Sequence, residues 1–309
     1  MKKILIPVLL ALLALSCDDG QDYSNAKITD RLRNDTASVQ IAVLPTMDCL
    51  PLLVASERGM FERENMHVGI RYYKSQLDCD TALLRGWVNV MVTDLVRAER
   101  IIDQDIPLNY LTSTDAYWQL QTVRTARIHQ LSQLDDKMLA MTRYSVTDML
   151  GDYLVDSAQL APERVFRVQV NDLDVRLGML QTGIMDALLL PEPQATLGRR
   201  THTSLLFDTR QIGMKMGVIV ATDKVLNSNE INVFQKVYNE ACDSINERGL
   251  HDYSQLLEDF YGLTETDIDS LPNDLKYTHA AMPFGSDVSR AKNWLEKKKE
   301  EHAEANIIR

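Results

Sequence analysis

Cysteine is scarce and never spaced as CxxC: the four residues at 17, 49, 79 and 242 leave no zinc ribbon and no thioredoxin-type redox site. With 13 Gly and 9 Pro, the chain has too little of either for low-complexity linkers or a collagen-like repeat. No apolar run reaches the roughly 20 residues that span a bilayer, which excludes a multi-span membrane protein. Positive charge is in the minority, with 33 Lys and Arg against 44 Asp and Glu. The formal net charge of −11 repels a phosphate backbone, so nucleic acid is not an expected partner. GxGxxG, P-loop, GxSxG and HExxH patterns are all missing, which withdraws motif support from nucleotide-binding, hydrolase and zincin readings. The His residues at 67, 129, 202, 251, 279 and 302 are scattered without ligand spacing and read as solvated. No cofactor and no metal is expected.

What is present is the balance of an ordinary globular protein, 45% hydrophobic and 25% charged, in a chain of 309 residues that is long enough for two domains. The first residues stand apart from the rest. Lys2 and Lys3 precede an apolar run from Ile4 to Leu15 that ends at Ser16-Cys17. A basic start, a short apolar stretch and a small residue before the break predict a secretory signal over residues 1–16. A Cys at that point resembles a bacterial lipoprotein signal, with lipid on Cys17 anchoring the exported chain to a membrane without spanning it. Cleavage there removes Lys2 and Lys3 and leaves a net charge near −13. Residues 17–37 are polar and lack apolar periodicity, so they read as a flexible tether.

From Val39 the chain alternates. Strands are expected at Val39–Leu44, Val68–Tyr73, Val88–Val92 and Leu108–Thr112, with helices at Leu50–Arg58, Asp80–Arg85 and from Asp94, as N-cap, to Asp103. A second series follows. It has strands at Met138–Met141, Val165–Val170, Ala187–Leu190, Ser204–Phe207 and Val218–Thr222, with helices at Ser145–Val155 and Asp174–Gln181. Beyond Asn229 the pattern is helical: Ile231–Glu247, Tyr253–Tyr261 and Val288 to about Glu304. Strand–helix alternation predicts α/β architecture: two lobes of mainly parallel sheet, helices on both faces, and a hinge of two crossing segments.

In open α/β sheets ligands lie beyond the carboxyl ends of the strands. Those ends carry Thr46 and Asp48, Gln76, Thr93 and Asp94, Ser113 and Thr114, Arg143, Tyr144 and Ser145, and Glu192, which are the candidate ligand-binding residues. Ser145 begins a helix, where free amides and the dipole favour an anion; an N-cap role explains it equally well. Asp48, Asp94 and Glu192 would together repel an anion and suit an amine, amidine or aminopyrimidine. Asp94 is also explained as a helix cap and Glu192 as a solvated turn, although Pro191 and Pro193 hold Glu192 in an extended, fixed geometry that favours a functional role. Cys49 and Cys79 follow adjacent strands and, in an exported chain, are expected to form a disulfide beside the cleft, leaving Cys242 buried.

One stretch and three shorter ones suggest a family. PTMDCLPLLVASERGMFERENMHV (Pro45–Val68) resembles the first βα unit of the type II periplasmic solute-binding proteins of ABC importers, in the branch that takes aliphatic sulfonates, nitrate or thiamine-precursor pyrimidines. LLRGWVNVMVTD (Leu83–Asp94), DALLLPEPQAT (Asp186–Thr196), and VFQKVYNEACDSIN (Val233–Asn246) with Asn293-Trp294-Leu295 resemble later segments of the same family. The resemblance implies lobe 1 from 38–113 plus 215–309 and lobe 2 from 117–210, with a small solute held between them. It also implies a monomer that delivers to an ABC permease, and no enzymatic activity. A nitrogen-containing nutrient, such as a thiamine-precursor pyrimidine, is the expected ligand, with an aliphatic sulfonate or other small anion as the alternative. Same-fold pyrimidine-forming enzymes use a lysine and a histidine where this chain has Thr93 and Arg97, and they carry a cysteine-rich loop that it lacks. Menaquinone-pathway dehydratases share the fold but are cytosolic, unlike a chain with an export signal. A surface lipoprotein with no transport role is the remaining reading.

Overall fold

The computed structural model describes residues 31–307, except 202 and 224. The signal segment, Cys17 and the first part of the expected tether lie outside the described residues. Residues 31–37, read as tether, are instead packed on the first lobe. Leu32 and Ala37 are buried, Arg71 Nη2 pairs with Asp35 Oδ1 at 2.8 Å, and Gln40 Nε2 donates to the Asn34 carbonyl at 2.7 Å.

Two five-stranded sheets organise the chain. The first is built from β1 (Val39–Val43), β2 (Val68–Tyr72), β3 (Val90–Asp94), β4 (Leu108–Ser113) and β10 (Gly217–Thr222), in the order β2-β1-β3-β10-β4. The second is built from β5 (Gln119–Val123), β6 (Lys137–Met141), β7 (Val165–Gln169), β8 (Ala187–Leu190) and β9 (Thr203–Asp208), in the order β7-β6-β8-β5-β9. Both sheets are mainly parallel, as expected, and each is mixed by a single reversed strand. β1 runs parallel to β2 and β3, but β10 is antiparallel to β3 and β4. Likewise β6 runs parallel to β7 and β8, but β5 is antiparallel to β8 and β9. The reason is the double crossing: a strand that arrives from the other lobe inserts against the direction of its neighbours.

The strands β1, β3 and β8 are buried at every position and apolar apart from Gln40 in β1 and Thr93 and Asp94 at the end of β3, as expected where helices cover both faces. On the first sheet lie α1 (Leu50–Glu57), α2 (Met60–Arg63), α3 (Gln76–Leu84) and α4 (Leu95–Ile102). Gly59 sits at φ +61°, the left-handed turn that ends α1 and starts α2. On the second sheet lie α5 (Val146–Ser157), α6 (Leu173–Gln181) and α7 (Gln194–Arg200). The C-terminal part adds α8 (Ser228–Arg248), α9 (Ser254–Tyr261), α10 (Glu265–Ile268) and α11 (Gly285–Ile307). Each parallel strand therefore ends at a loop that opens into a helix N-terminus, and these loops from the two lobes face one another.

The expected Cys49–Cys79 disulfide is not formed: Cys49, Cys79 and Cys242 are all free and buried. The strand-end argument placed both cysteines in loops, whereas Cys49 ends a short 3-10 turn and Cys79 lies inside α3, facing the core. Cys49 Sγ lies 3.5 Å from Thr46 Oγ1, and burial pushes both the Cys49 and Cys79 thiols well above their usual range.

Candidate functional site: the cleft between the lobes

The lobes are shut on one another by contacts that run the length of the cleft. Met47 N donates to the Glu192 carbonyl at 2.9 Å, and Gln194 Nε2 donates to the Pro45 carbonyl at 2.9 Å. Ser75 and Asp172, the N-caps of α3 and α6, form an antiparallel bridge across the cleft. Arg97 Nη1 donates to the Arg143 carbonyl at 3.2 Å. Behind the cleft, α11 packs on α4 of the first lobe and reaches α5 of the second. There Trp294 Nε1 donates to Asp152 Oδ2 at 2.7 Å, Lys298 pairs with the same carboxylate at 2.9 Å, and Tyr144 Oη meets His302 Nε2 at 2.7 Å.

Enclosed between the lobes is a cavity of about 60 Å³. Thr46, Asp48, Gln76, Thr93, Asp94 and Ser145 border it, so six of the residues expected from the sequence converge there. The remaining five do not border it, and each has a physical reason. Ser113 is occupied in the sheet, its N–H donating to the Ala281 carbonyl at 2.7 Å. Thr114 lies behind the cavity wall and donates from Oγ1 to Asp48 Oδ2 at 2.9 Å, so it supports a lining residue. Arg143 turns its side chain to solvent. Tyr144, at φ +53°, faces α11 and stacks under Arg100, whose guanidinium lies 4.4 Å from the ring centroid. Glu192 borders a smaller neighbouring space with Tyr117. Its Oε1 takes the Tyr117 hydroxyl and Arg199 Nη2, each at 3.0 Å, and its Oε2 takes the Thr196 N–H at 2.9 Å. Its charge is already answered within its own lobe.

Asp94 does more than cap its helix. Its Oδ1 accepts from Arg97 N, within α4, and from Val146 N, the first residue of α5 in the opposite lobe, both at 3.1 Å. The helix terminus that could have drawn an anion is thus filled by a carboxylate of the chain itself. Burial pushes the Asp94 carboxyl up to about 6, against the opposing pull of Arg97. Arg97 in turn is fully buried and paired with Asp80. Asp48 differs from Glu192 in having no ion pair, and from Asp94 in having no helix amide of the opposite lobe on it, among the described residues; burial raises its pKa while the Thr46 and Thr114 hydroxyls act against that shift.

Several lining residues escaped the sequence reading: Trp118, Thr142, Thr147, Asn171, Leu173 and Arg176. Arg176 is 1% exposed, and its guanidinium donates to the carbonyls of Val170 (2.6 Å) and Leu189 (2.9 Å) and to Thr142 Oγ1 (2.6 Å). No carboxylate pairs with it among the described residues; burial lowers its pKa to about 10, so it stays charged at neutral pH. A signal existed in the sequence. Leu173, Leu177 and Leu180 mark the buried face of α6, and Arg176 falls on that face at helical spacing. Among the described residues no group of His, Cys, Asp and Glu could hold a metal ion.

A pair of lobes, each with a five-stranded sheet, joined by two crossing segments, with a cavity between them at the strand ends, defines a two-lobed periplasmic-binding-protein fold. A family model described as NMT1/THI5 like matches residues 46–248, and the chain belongs to that family. No curated protein matches the chain. Among solved structures, a protein from Bordetella bronchiseptica RB50 superposes with a TM-score of 0.72 at 16% identity, covering 85% of this chain and 89% of that one. The periplasmic aliphatic sulphonate binding protein SsuA from Escherichia coli gives 0.69 at 15% identity, with 84% and 87% covered. The periplasmic nitrate-binding protein NrtA from Synechocystis PCC 6803 gives 0.64 at 14% identity, with 78% and 73% covered. At these identities the likeness is one of fold.

Proposed function

We propose that the chain is the solute-binding component of an ABC importer, lipid-anchored through Cys17, and that it captures a small nitrogen-containing solute between lobes 38–113 plus 215–309 and 117–210. Sheet membership supports that division, and the family and its structural neighbours support the transport role. The observation that carries the ligand class is Asp48: a carboxylate facing an enclosed cavity without a cation to answer it. A ligand ammonium or amidine would complete the pair, with Thr46, Gln76 and Thr93 beside it for further hydrogen bonds. A lone anion at the start of α5 would have to displace Asp94, which argues against the sulfonate alternative in its simplest form. Size matters as well. A cavity of about 60 Å³ is well below the roughly 300–1,000 Å³ of a drug-sized site, which favours a solute of a few heavy atoms over a substituted pyrimidine.

The test is a calorimetric titration of the purified chain with small primary amines and with alkanesulfonates, beside the Asp48→Asn variant. Amine binding in the wild type that falls at least tenfold in Asp48→Asn supports the reading. Tight sulfonate binding that is indifferent to Asp48 overturns it.

A further inference from the structure

Resting on the reading of Asp48 as the amine partner, we infer that the ligand is a zwitterion whose acidic group is received by Arg176. The cavity carries opposite charges on its two walls. The wall supplied by the first lobe presents Asp48 with Thr46, Gln76 and Thr93, and the wall supplied by the second presents Arg176 with Thr142, Thr147 and Asn171. The acids and bases elsewhere around the cleft are answered internally: Asp94 by two helix amides, Arg97 by Asp80, and Glu192 by Arg199 and Tyr117. Among the charged residues that border this cavity, Asp48, Asp94 and Arg176 have no ion pair among the described residues; Asp94 is engaged by two helix amides, whereas Asp48 and Arg176 remain to be answered.

Arg176 has donors to spare as well as charge. A guanidinium carries five N–H groups. Nε and Nη2 both reach the Val170 carbonyl, Nη2 also reaches Thr142 Oγ1, and Nη1 reaches the Leu189 carbonyl. The second N–H of Nη1 has no partner among the described residues. Asp172 acts on the guanidinium through space without forming an ion pair with it, carbonyl dipoles orient the group but bring no net negative charge, and a buried cation with no anion in contact is costly. A carboxylate or sulfonate oxygen entering the cavity would supply both the missing charge and the missing acceptor. The same carbonyls fix the guanidinium at the ends of β7 and β8, so it need not reorganise to receive the ligand. Together with the small cavity, this points to a short amino acid or aminosulfonate.

The experiment titrates the wild-type chain with glycine, β-alanine, 4-aminobutanoate, 5-aminopentanoate and taurine, each beside an acid-blocked counterpart (the primary amide or sulfonamide) and a counterpart lacking the amine. The expected result is that at least one zwitterion binds at least tenfold more tightly than either of its counterparts. Arg176→Lys should weaken that zwitterion at least tenfold more than it weakens the acid-blocked amine, and circular dichroism on the same sample verifies folding. Equal binding of zwitterion and acid-blocked amine overturns this inference and leaves the Asp48 reading standing. Equal binding of zwitterion and amine-free acid, with no binding of the acid-blocked amine, overturns the Asp48 reading itself. Absence of binding by every zwitterion in the series also overturns the inference. Because the decisive comparison varies the ligand on unaltered protein, a failure of the Arg176 variant to fold does not blunt it.

Discussion

At the residue scale, the informative feature is that two acids in one cleft behave oppositely. Asp94 is buried and accepts two helix amides, yet burial still raises its carboxyl to about 6 from an ordinary 3.8. Between those values the folded chain holds more proton on this group than the unfolded chain does, so its contribution to stability falls as pH rises through that window. Asp94→Asn, which keeps an oxygen to accept from Arg97 N and Val146 N, should flatten the fall in stability between about pH 4 and 6. Urea melts across that range measure it, and an unchanged slope counts against the assignment. The cysteines give a second expectation. With Cys49, Cys79 and Cys242 buried and free, a thiol reagent should find none of them in the native chain and all three after unfolding without reductant. A count of one after unfolding would restore the Cys49–Cys79 bridge.

At the scale of elements, glycine shows where the hinge has no slack. A Cβ built on Gly217, the first residue of β10, would lie 2.1 Å from Thr114 Oγ1 and 2.7 Å from the Ala116 Cβ. Both neighbours belong to the other crossing segment. Gly217→Ala should therefore cost about 1–3 kcal/mol by overpacking, read as a lower urea midpoint with an unchanged m-value. Elements with strong periodicity or a cap were legible in the sequence. Asp94 and Ser145 cap α4 and α5 as expected, accepting from Arg97 N and Thr147 N, and Ala187–Leu190 was read to the residue. The crossing strand β5 was not, for a physical reason. Its sequence, QLQTV, places Gln119, Gln121 and Thr122 in the interior, where they bond Asp208, the Ala195 carbonyl and the Ile128 and Ser204 carbonyls. Burial of polar side chains that satisfy one another leaves no hydrophobic alternation to read. For Arg176 the helical spacing marks a place on the buried face of α6, but its partners, the carbonyls of Val170 just past β7 and Leu189 in β8 and the Thr142 hydroxyl, are contacts that only the folded chain brings together.

At the scale of the whole molecule, the cleft is closed around little space, so a ligand must first separate the lobes and then reseal them. Occupancy and closure are then linked. A ligand present at about 100 times its dissociation constant should raise unfolding stability by about 2.7 kcal/mol if it binds only the native state. Calorimetric melts with the identified solute measure this, and a ligand-independent melting temperature would contradict it. The crossing pattern also bears on the order in which the chain is made. All five strands of the second sheet come from residues 119–208, so that lobe is complete as one uninterrupted stretch. The first sheet is different: β3 and β4 stand apart until β10, at residues 217–222, slides between them. During synthesis, or threading through an export channel, the half that appears first must wait for the half that appears later. Its exposed strand edges during that interval make it the natural client for a chaperone and the place where a stalled chain would aggregate.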